Sequence, residues 1–228
     1  MAQQFDHSLL VEQEQSQRAT VFRVYNYYRV GLAFLFLYLF LDPNLNEFVG
    51  GMDPVLFGTV IVTYLAVNIL AGVFTLFVRA DLLASTRTAL VVIVLDIVAI
   101  TLMIYASGGV SSGLGNFLFF VLAFAGGLIH GRVSTLLPAI AFILTIYGES
   151  YLYFLNRNEI QGFFQAGILG IVYFVTNILF QTLSSQLRKR QSQVLTLEQI
   201  NQFIIEGMRT GVVVTSENYE TKMMNRAA

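Results

Sequence analysis

The chain has 228 residues, of which 56% are hydrophobic and 12% charged, and its mean hydropathy is +0.67. Because a soluble domain typically has about 45 to 50% apolar residues, this composition predicts a membrane protein. The net charge of −1 and the lack of a basic stripe argue against a nucleic-acid partner. The absence of Cys excludes disulfides, thiolate metal sites and cysteine nucleophiles. The two His residues are widely separated, which argues against a zinc site.

Residues 1–29 are predicted to form a cytosolic amphipathic helix that leads into the membrane. No short apolar core follows a basic start in this segment, so no cleavable signal peptide is predicted. Tyr25, Tyr27 and Tyr28 lie between Arg23 and Arg29 at its end. Because the chain has no Trp, we expect these Tyr side chains to lie at the level of the lipid headgroups.

Six apolar segments follow, and they predict an all-α bundle of six transmembrane helices over residues 30–185. Roughly 20 residues are needed to cross about 30 Å of hydrocarbon, and most of the segments reach that length. The fourth is the shortest, and a very tight turn at Gly131 and Arg132 connects it to the fifth. The segments cover about 30–48, 55–78, 88–106, 115–131, 133–155 and 163–185.

The distribution of basic residues predicts that both termini lie in the cytosol. With the N-terminus inside, 12 of the 13 Lys and Arg residues fall on the cytosolic side and only Arg157 falls outside. This matches the positive-inside rule. The three outer connections, about 42–54, 107–114 and 156–162, are too short to fold as an extracellular domain. A stimulus is therefore expected within the membrane or at its outer rim.

Asp96 carries the strongest functional signal in the predicted spans, because an ionisable side chain near the bilayer centre is costly and usually functional. Asn68 falls at a similar depth in the neighbouring helix, and we predict that its amide donates to the Asp96 carboxyl. No cation is expected at that depth. Two interpretations remain open: an interhelical hydrogen bond worth about 0.6 kcal/mol, or a contact used in signalling or ligand binding.

Glu149 and His130 are further polar candidates in or beside the spans. Glu149 is predicted in the outer third of the fifth span, where it is easily hydrated. His130 is predicted at the inner end of the fourth span as an interfacial polar residue.

A row of small residues lies near His130, in which Ala123, Gly127 and Gly131 recur every four residues. Such small residues allow another helix to approach closely, so this row predicts a helix-packing surface.

Residues 109–113 fit the G-x-S-x-G string of serine hydrolases. A serine nucleophile needs a base within hydrogen-bond reach. The only His near the spans, His130, is 19 residues beyond Ser111 and is predicted at the opposite membrane face. We therefore predict a turn between the third and fourth spans rather than a protease site. No phosphate-binding G-x-x-x-x-G-K-[ST] loop occurs either, so no catalytic residue is predicted.

After the sixth span, apolar residues alternate at steps of three and four, which is the heptad pattern of a two-stranded coiled coil. Residues 186–208 are therefore predicted to form a signalling helix in a parallel homodimer. Asn201 at an a position favours an in-register parallel pair, whereas Arg190 at a d position weakens it. A single amphipathic helix that packs on its own chain is the alternative. The seam comprises Phe180, Leu183, Leu187, Arg190, Val194, Leu197, Asn201, Ile204 and Met208.

Residues 209–228 are predicted to begin a further domain with two strands. A β-branched run ends at Thr215, a polar turn follows, and a second strand is predicted at Thr221–Met224. A two-stranded hairpin is only marginally stable on its own, so these strands should belong to a larger domain. Residues 206–214 and 223–228 resemble the first strands of the PAS domain in membrane sensor histidine kinases of the type IV pilus (PilS-like) group.

This resemblance implies six spans, a short cytosolic N-terminus and a location in the bacterial inner membrane. It also implies a PAS domain, a dimerisation helix with a phosphoacceptor His, and an ATP-binding domain beyond Ala228. ATP and Mg²⁺ would then be cofactors of the whole kinase, with none bound by this chain. A response regulator would be the downstream partner of the kinase. Its stimulus would be a membrane ligand, which in the pilus group would be the pilin. No phosphotransfer residue is carried over to this chain.

We therefore predict the input half of a dimeric sensor histidine kinase, whose bundle registers a signal and passes it to PAS through the seam. One alternative is a small transporter or channel subunit that uses Asp96, Asn68 and Glu149 as a polar path. Another keeps the sensor but replaces the kinase with a different output, such as a nucleotide cyclase.

Overall fold

The computed structural model describes residues 2–43, 49–77, 85–129, 131–155, 160–207, 210–211, 213–215 and 221–224. Within these ranges the chain forms six α-helices and two strands, with two short 3₁₀ turns before the fourth helix. The helices are α1 (Ala2–Leu41), α2 (Pro54–Phe77), α3 (Thr86–Ala106), α4 (Phe117–Leu128), α5 (Arg132–Phe154) and α6 (Ile160–Gly207), and the strands are β1 (Val213–Thr215) and β2 (Thr221–Met224).

In the described part of the chain, five helices have a segment long and apolar enough to cross a membrane: Ala19–Leu41, Pro54–Thr75, Thr86–Ala106, Arg132–Phe154 and Ile160–Val194. A sixth apolar helix, Leu114–Leu128, is shorter. The sequence predicted this short fourth segment and the tight turn after it, and both are confirmed, since α5 begins at Arg132.

The helix that carries the first span already packs inside the bundle before the predicted start of that span, near residue 30, since Phe22 and Tyr25 are buried. The expected position at the lipid headgroups is wrong for Tyr25, which is buried among the helices, whereas Tyr27 is exposed. The reason is that α1 is one continuous helix from Ala2 to Leu41, in which Tyr25 and Arg29 share a buried stripe with Phe22 and Phe36.

Helix α3 is the most buried of the five long apolar helices. It packs against α2, α4 and α5, while α1 packs against α2 and α4. Ile93, Ile97, Ile100 and Met103 recur at steps of three or four along α3 and are fully buried. This spacing places them on one face, which forms much of the core of the bundle.

The connection between α1 and α2 is held against the end of α3. The Asp53 N–H donates to the Ala106 carbonyl over 2.9 Å, and the Gly50 N–H donates to the Ser107 hydroxyl over 2.8 Å. Asp53 Oδ1 also accepts from the Leu56 N–H at 2.9 Å and so caps the start of α2. These bonds satisfy backbone groups that helix ends otherwise leave unpaired.

The first part of α6 approaches α4 closely at Gly126. A Cβ at Gly126 would lie 2.6 Å from the Asn177 carbonyl oxygen, so only Gly fits there. Asn177 also donates from Nδ2 to the Leu122 carbonyl at 3.1 Å, and its Oδ1 accepts from the Ser134 hydroxyl at 3.3 Å. One buried Asn on α6 therefore links that helix to both α4 and α5.

The predicted small-residue row does not make this contact. Ala123 is buried, but a Cβ at Gly127 or Gly131 would meet no atom within 4 Å. Assigning those two glycines to close packing is therefore wrong within this chain. Neighbouring positions on a helix point about 100° apart, so Gly126 faces α6 and Gly127 does not.

The chain divides into two compact units, Met1–Thr182 and Leu183–Ala228. The second unit contains the end of α6 and an antiparallel pair of strands, in which Val213 lies opposite Met224 and Val214 opposite Met223. Two strands were predicted in this part of the sequence. Their membership of a PAS domain stays a prediction.

Replacing Gly126 with Ala should lower the free energy of unfolding by about 1 to 3 kcal/mol, because the new methyl group would overlap backbone atoms of α6. Gly127→Ala is the matched control. It adds the same methyl group where no atom lies within 4 Å, so it should be neutral or stabilise by up to about 1 kcal/mol through helix propensity. Thermal unfolding in detergent measures both, and equal stability of the two variants would contradict the close approach.

Candidate functional site

A buried ion pair joins α1 to α3. Arg29 Nε donates to Asp96 Oδ1 at 2.8 Å, and Arg29 Nη2 lies 2.8 Å from the same oxygen. The Tyr25 hydroxyl donates to Asp96 Oδ2 over 2.5 Å. Asp96 and Tyr25 are 0% exposed and Arg29 is 2% exposed. Both oxygens of the carboxylate are therefore bonded by side chains of one neighbouring helix.

The helical repeat places these polar side chains inside the bundle. Arg29 follows Phe22 by seven residues and precedes Phe36 by seven, and all three are buried. Asp96 follows the buried Ile93 by three residues on α3. Each charged residue thus lies on the apolar stripe that its helix turns toward the core. The long side chains of Arg29 and Tyr25 then reach the Asp96 carboxylate across the bundle.

Asp96 lies near the middle of the apolar helix Thr86–Ala106, and its bond to Arg29 places the guanidinium at a similar depth. Two charges at that depth are tolerated only when they are paired and hydrogen-bonded. The Tyr25 hydroxyl supplies one additional hydrogen bond. The Arg29 guanidinium carbon also lies 5.9 Å from the Tyr25 ring centroid and 5.8 Å from that of Tyr64, within the range of cation–π attraction.

Further polar side chains surround the pair. Asn26 Oδ1 accepts from Arg29 Nη1 at 3.4 Å, and Asn26 and Asn68 are almost completely buried. Near the pair, five buried polar atoms have no hydrogen-bond partner among the described protein atoms: Asn26 Nδ2, both amide atoms of Asn68, and the hydroxyls of Tyr28 and Tyr64. We call the whole group the polar cluster; it comprises Tyr25, Asn26, Tyr28, Arg29, Tyr64, Asn68 and Asp96.

Asp96 was predicted to bond to Asn68 with no cation nearby, and both expectations are wrong. Its partners are Arg29 and Tyr25, and the Asn68 amide bonds to neither of its oxygens. The error follows from treating residues 23–29 as a headgroup-level lead-in, although Tyr25 and Arg29 are buried in the bundle. The seven-residue spacing of Phe22, Arg29 and Phe36 is the sequence signal that pointed to a buried Arg.

Glu149 forms a second buried site, on α5. It is 2% exposed, and its Oε1 accepts from the Val110 N–H at 2.6 Å, so its expected easy hydration is wrong. Gly109 has φ +88°, and a Cβ there would overlap the Glu149 carboxylate. The Ser112 hydroxyl donates to the Gly109 carbonyl at 2.7 Å. The predicted turn between the third and fourth spans is confirmed, and Glu149 holds it.

The remaining candidates are not brought together with these groups. Asp96 and Glu149 bond to different partners, and no hydrogen bond described in the chain links them. His130 and Met208 lie outside the described residues, as does the side chain of Asn201. The other predicted seam positions from Leu183 to Ile204 belong to the second unit and are exposed there.

Comparison with known proteins identifies the family. Residues 11–194 match the family described as the PilS-like transmembrane domain. The chain belongs to this family. It is accordingly a multi-pass protein of the bacterial inner membrane, and the predicted resemblance is confirmed. The matched residues include the polar cluster, Glu149 and the seam as far as Val194.

The sensor protein kinase PilS of Pseudomonas aeruginosa is a relative of this PilS-like chain. The two are 28% identical over 230 aligned residues, which cover 96% of this chain and 42% of the relative. The chain therefore spans less than half the length of that kinase. No solved structure matches the chain.

The ion pair predicts strong non-additivity between changes at Arg29 and Asp96. Arg29→Gln or Asp96→Asn alone should lower the free energy of unfolding by about 3 to 5 kcal/mol, because each leaves a buried charge without its partner. The double variant should lose clearly less than the sum of the two, since neither charge remains. Chemical denaturation of all four proteins in detergent measures this, and additive losses would contradict the pair.

Glu149 should stabilise the turn as a hydrogen-bond acceptor. Glu149→Leu leaves the buried Val110 N–H without an acceptor and should lower the free energy of unfolding by about 1 to 3 kcal/mol. Glu149→Gln keeps an oxygen in the same place and serves as the matched control, with a smaller loss. The same denaturation assay compares them. Equal losses in both variants would show that the charge, and not the bond to Val110, stabilises the turn.

Proposed function

We propose that this chain is the input module of a sensor histidine kinase, in which the bundle registers a signal in the membrane and α6 passes it to the cytosol. The observation that carries this proposal is α6 itself. It is a single helix of 48 residues whose first part belongs to the PilS-like match and whose last part bears the seam. A rigid helix can pass a shift at one end to the other.

The exposure of the seam supports a parallel homodimer. Leu183, Leu187, Val194, Leu197 and Ile204 are between 48% and 61% exposed in the single chain. These positions follow the a and d spacing by which two helices pack together. A row of apolar side chains facing water is unfavourable, and pairing with a second copy would bury it. Asn201 would then fix the register of the pair.

The connections between the helices support a stimulus from within the membrane. In the described helices, α3 ends at Ala106 and α4 begins at Phe117, while α5 ends at Phe154 and α6 begins at Ile160. Neither connection is long enough for a ligand-binding domain. We therefore propose that the stimulus is a membrane ligand, which in the pilus group would be the pilin. This ligand must bind one of two helix arrangements more tightly than the other, because only a difference in affinity shifts the populations of the two arrangements.

The kinase output is proposed from the relative, whose name describes a sensor protein kinase. PAS, the phosphoacceptor His and the ATP-binding domain would follow this sequence, and a response regulator would receive the phosphoryl group. No residue of this chain is proposed to hold ATP or Mg²⁺. A different output attached to the same sensor would use the same seam and remains the alternative.

A transporter or channel subunit has less support. Such a protein needs a connected polar path, and Asp96 is bonded to Arg29 and Tyr25 whereas Glu149 is bonded to the Val110 N–H. Asp96 and Glu149 therefore belong to two separate groups of polar residues. The Asp96 group links two helices, and Glu149 links a helix to a turn. Their arrangement fits a sensor whose helices are held in place until a ligand moves them.

The dimer can be tested by disulfide crosslinking, because the natural chain has no Cys. Val194→Cys and Leu197→Cys occupy successive a and d positions, so both should form crosslinked dimers when native membranes are oxidised. Ser192→Cys is the matched control: it is also exposed but lies on the opposite side of the helix, at an f position, and should crosslink at least several-fold less.

Equal crosslinking at all three positions would indicate random collision rather than a seam. No crosslinking at either Val194→Cys or Leu197→Cys would contradict the two-chain helix pair. The signalling proposal would then lose its physical route into the cytosol.

A further inference from the structure

One turn of α6, from Asn177 to Gln181, is held by polar contacts just before the first compact unit ends. Asn177 donates to the Leu122 carbonyl of α4 and accepts from the Ser134 hydroxyl of α5. Gln181 Nε2 donates to the Gly131 carbonyl, in the connection between α4 and α5, at 3.3 Å. This part of α6, which we call the held turn, therefore bonds to both helices and to the link that joins them.

The backbone of the held turn also packs closely on α4. A Cβ at Gly126 would lie 2.6 Å from the Asn177 carbonyl oxygen and 3.1 Å from the Gln181 nitrogen. These two atoms are the acceptor and the donor of one helical hydrogen bond of α6. The two side chains that bond outward thus project from a turn whose backbone lies against α4. Rotation of this turn about the helix axis would break both sets of contacts.

The other side of α6 does not oppose such a rotation. Val175, Ile178 and Leu179 lie on that side and are between 52% and 60% exposed. Apolar side chains that face lipid tails lose little when they exchange one lipid contact for another, because there is no hydrophobic driving force between helices in a bilayer. The contacts of the held turn with α4 and α5 therefore decide how this part of α6 is oriented.

An earlier part of α6 is held more firmly. The Tyr173 hydroxyl donates to the Gly115 carbonyl at 3.0 Å, and its ring packs on that of Phe119 with the centroids 5.4 Å apart. A Cβ at Gly170 would overlap the Phe142 ring of α5. The three polar contacts of the held turn are 3.1 to 3.3 Å long, at or beyond the long end of the usual range. The held turn is therefore the easier of the two parts to release.

The first turn of α5 is suited to move with respect to the rest of that helix. Pro138 lies inside α5 and is buried. Because proline has no N–H, the Ser134 carbonyl lacks the donor that a helix provides four residues further on. The turn that begins at Arg132 is therefore less firmly joined to the remainder of α5 than it would be in an unbroken helix. The Ser134 hydroxyl contacts α6 from this same turn.

We propose that the end of α4 and the first turn of α5 form a latch that fixes the rotation of α6 about its own axis. Asn177 and Gln181 are the positioning residues of this latch. When the latch is closed, their side chains point at α4, α5 and the link between them. When it is open, α6 pivots about the firmly held part near Tyr173.

The use of the latch in signalling rests on the proposed sensor function. Helix α6 continues from the held turn to Gly207 as one helix, so a rotation at the held turn is passed along it toward the seam. A membrane ligand that draws α4 or α5 away from α6 would open the latch. Such a ligand needs only to bind the open arrangement more tightly than the closed one.

Dipolar EPR spectroscopy of the full chain in lipid nanodiscs tests the latch. Because the natural chain has no Cys, nitroxide labels can be attached to pairs of introduced cysteines. Leu136→Cys with Thr182→Cys reports on the held turn relative to α5. Ser150→Cys with Phe164→Cys reports on the start of α6 relative to the end of α5. All four positions are exposed, so the labels need not disturb the packing.

The double variant Asn177→Leu/Gln181→Leu removes the polar contacts of the held turn. The distance distribution of the first label pair should become about twice as broad, because α6 then samples more than one rotation. The distribution of the second pair should stay unchanged. Ile178→Leu is the matched control: it alters the same turn at an exposed position and should leave both distributions unchanged.

An unchanged first distribution in the double variant would overturn the proposal. Equal broadening of both label pairs would overturn it as well, since the contacts would then stabilise the whole packing of α6 and not its rotation. Gln181→Leu alone changes a partly exposed residue and should give the same effect to a smaller degree, which keeps the test valid if the double variant folds poorly. The labels report structure and not kinase output, so the latch and the sensor function can fail independently.

Discussion

The ion pair between Arg29 and Asp96 is the constraint on which the arrangement of the bundle depends. Neither charge can be left alone among apolar helices, so α1 must enter the bundle with Arg29 at the depth of Asp96 on α3. That requirement explains why polar residues of α1 are buried. A shift of α1 by one turn along its axis would separate the charges.

Because α3 packs against α2, α4 and α5, fixing α1 to α3 also fixes α1 relative to most of the bundle. Glu149 adds a second fixed point, where α5 holds the turn that leads into α4. Asn177 adds a third, where the first part of α6 meets α4 and α5. Each of these contacts is a polar interaction in an apolar setting, so each is specific in geometry and costly to break without a replacement.

The sequence predicted the apolar helices, the short fourth segment and the turn before it, because length and hydropathy decide these features locally. It did not predict the partner of Asp96, since Arg29 lies 67 residues away and its basic and aromatic neighbours resemble a membrane-surface segment. It also placed the close helix contact at Gly127 instead of Gly126. A row of small residues shows that helices can approach, but the face that meets the neighbour depends on how the whole bundle packs.

A sensor without a large exterior domain needs an internal element that has two acceptable arrangements, because a ligand can only select between states that already exist. A fully satisfied ion pair alone gives one arrangement, since any movement exposes a charge. The polar cluster changes this situation: Tyr64, Asn68 and Asn26 lie next to the pair with unused hydrogen-bonding atoms. In the proposed sensor function, a second position of α1 would need these side chains to replace the hydrogen bonds that Arg29 and Asp96 give up.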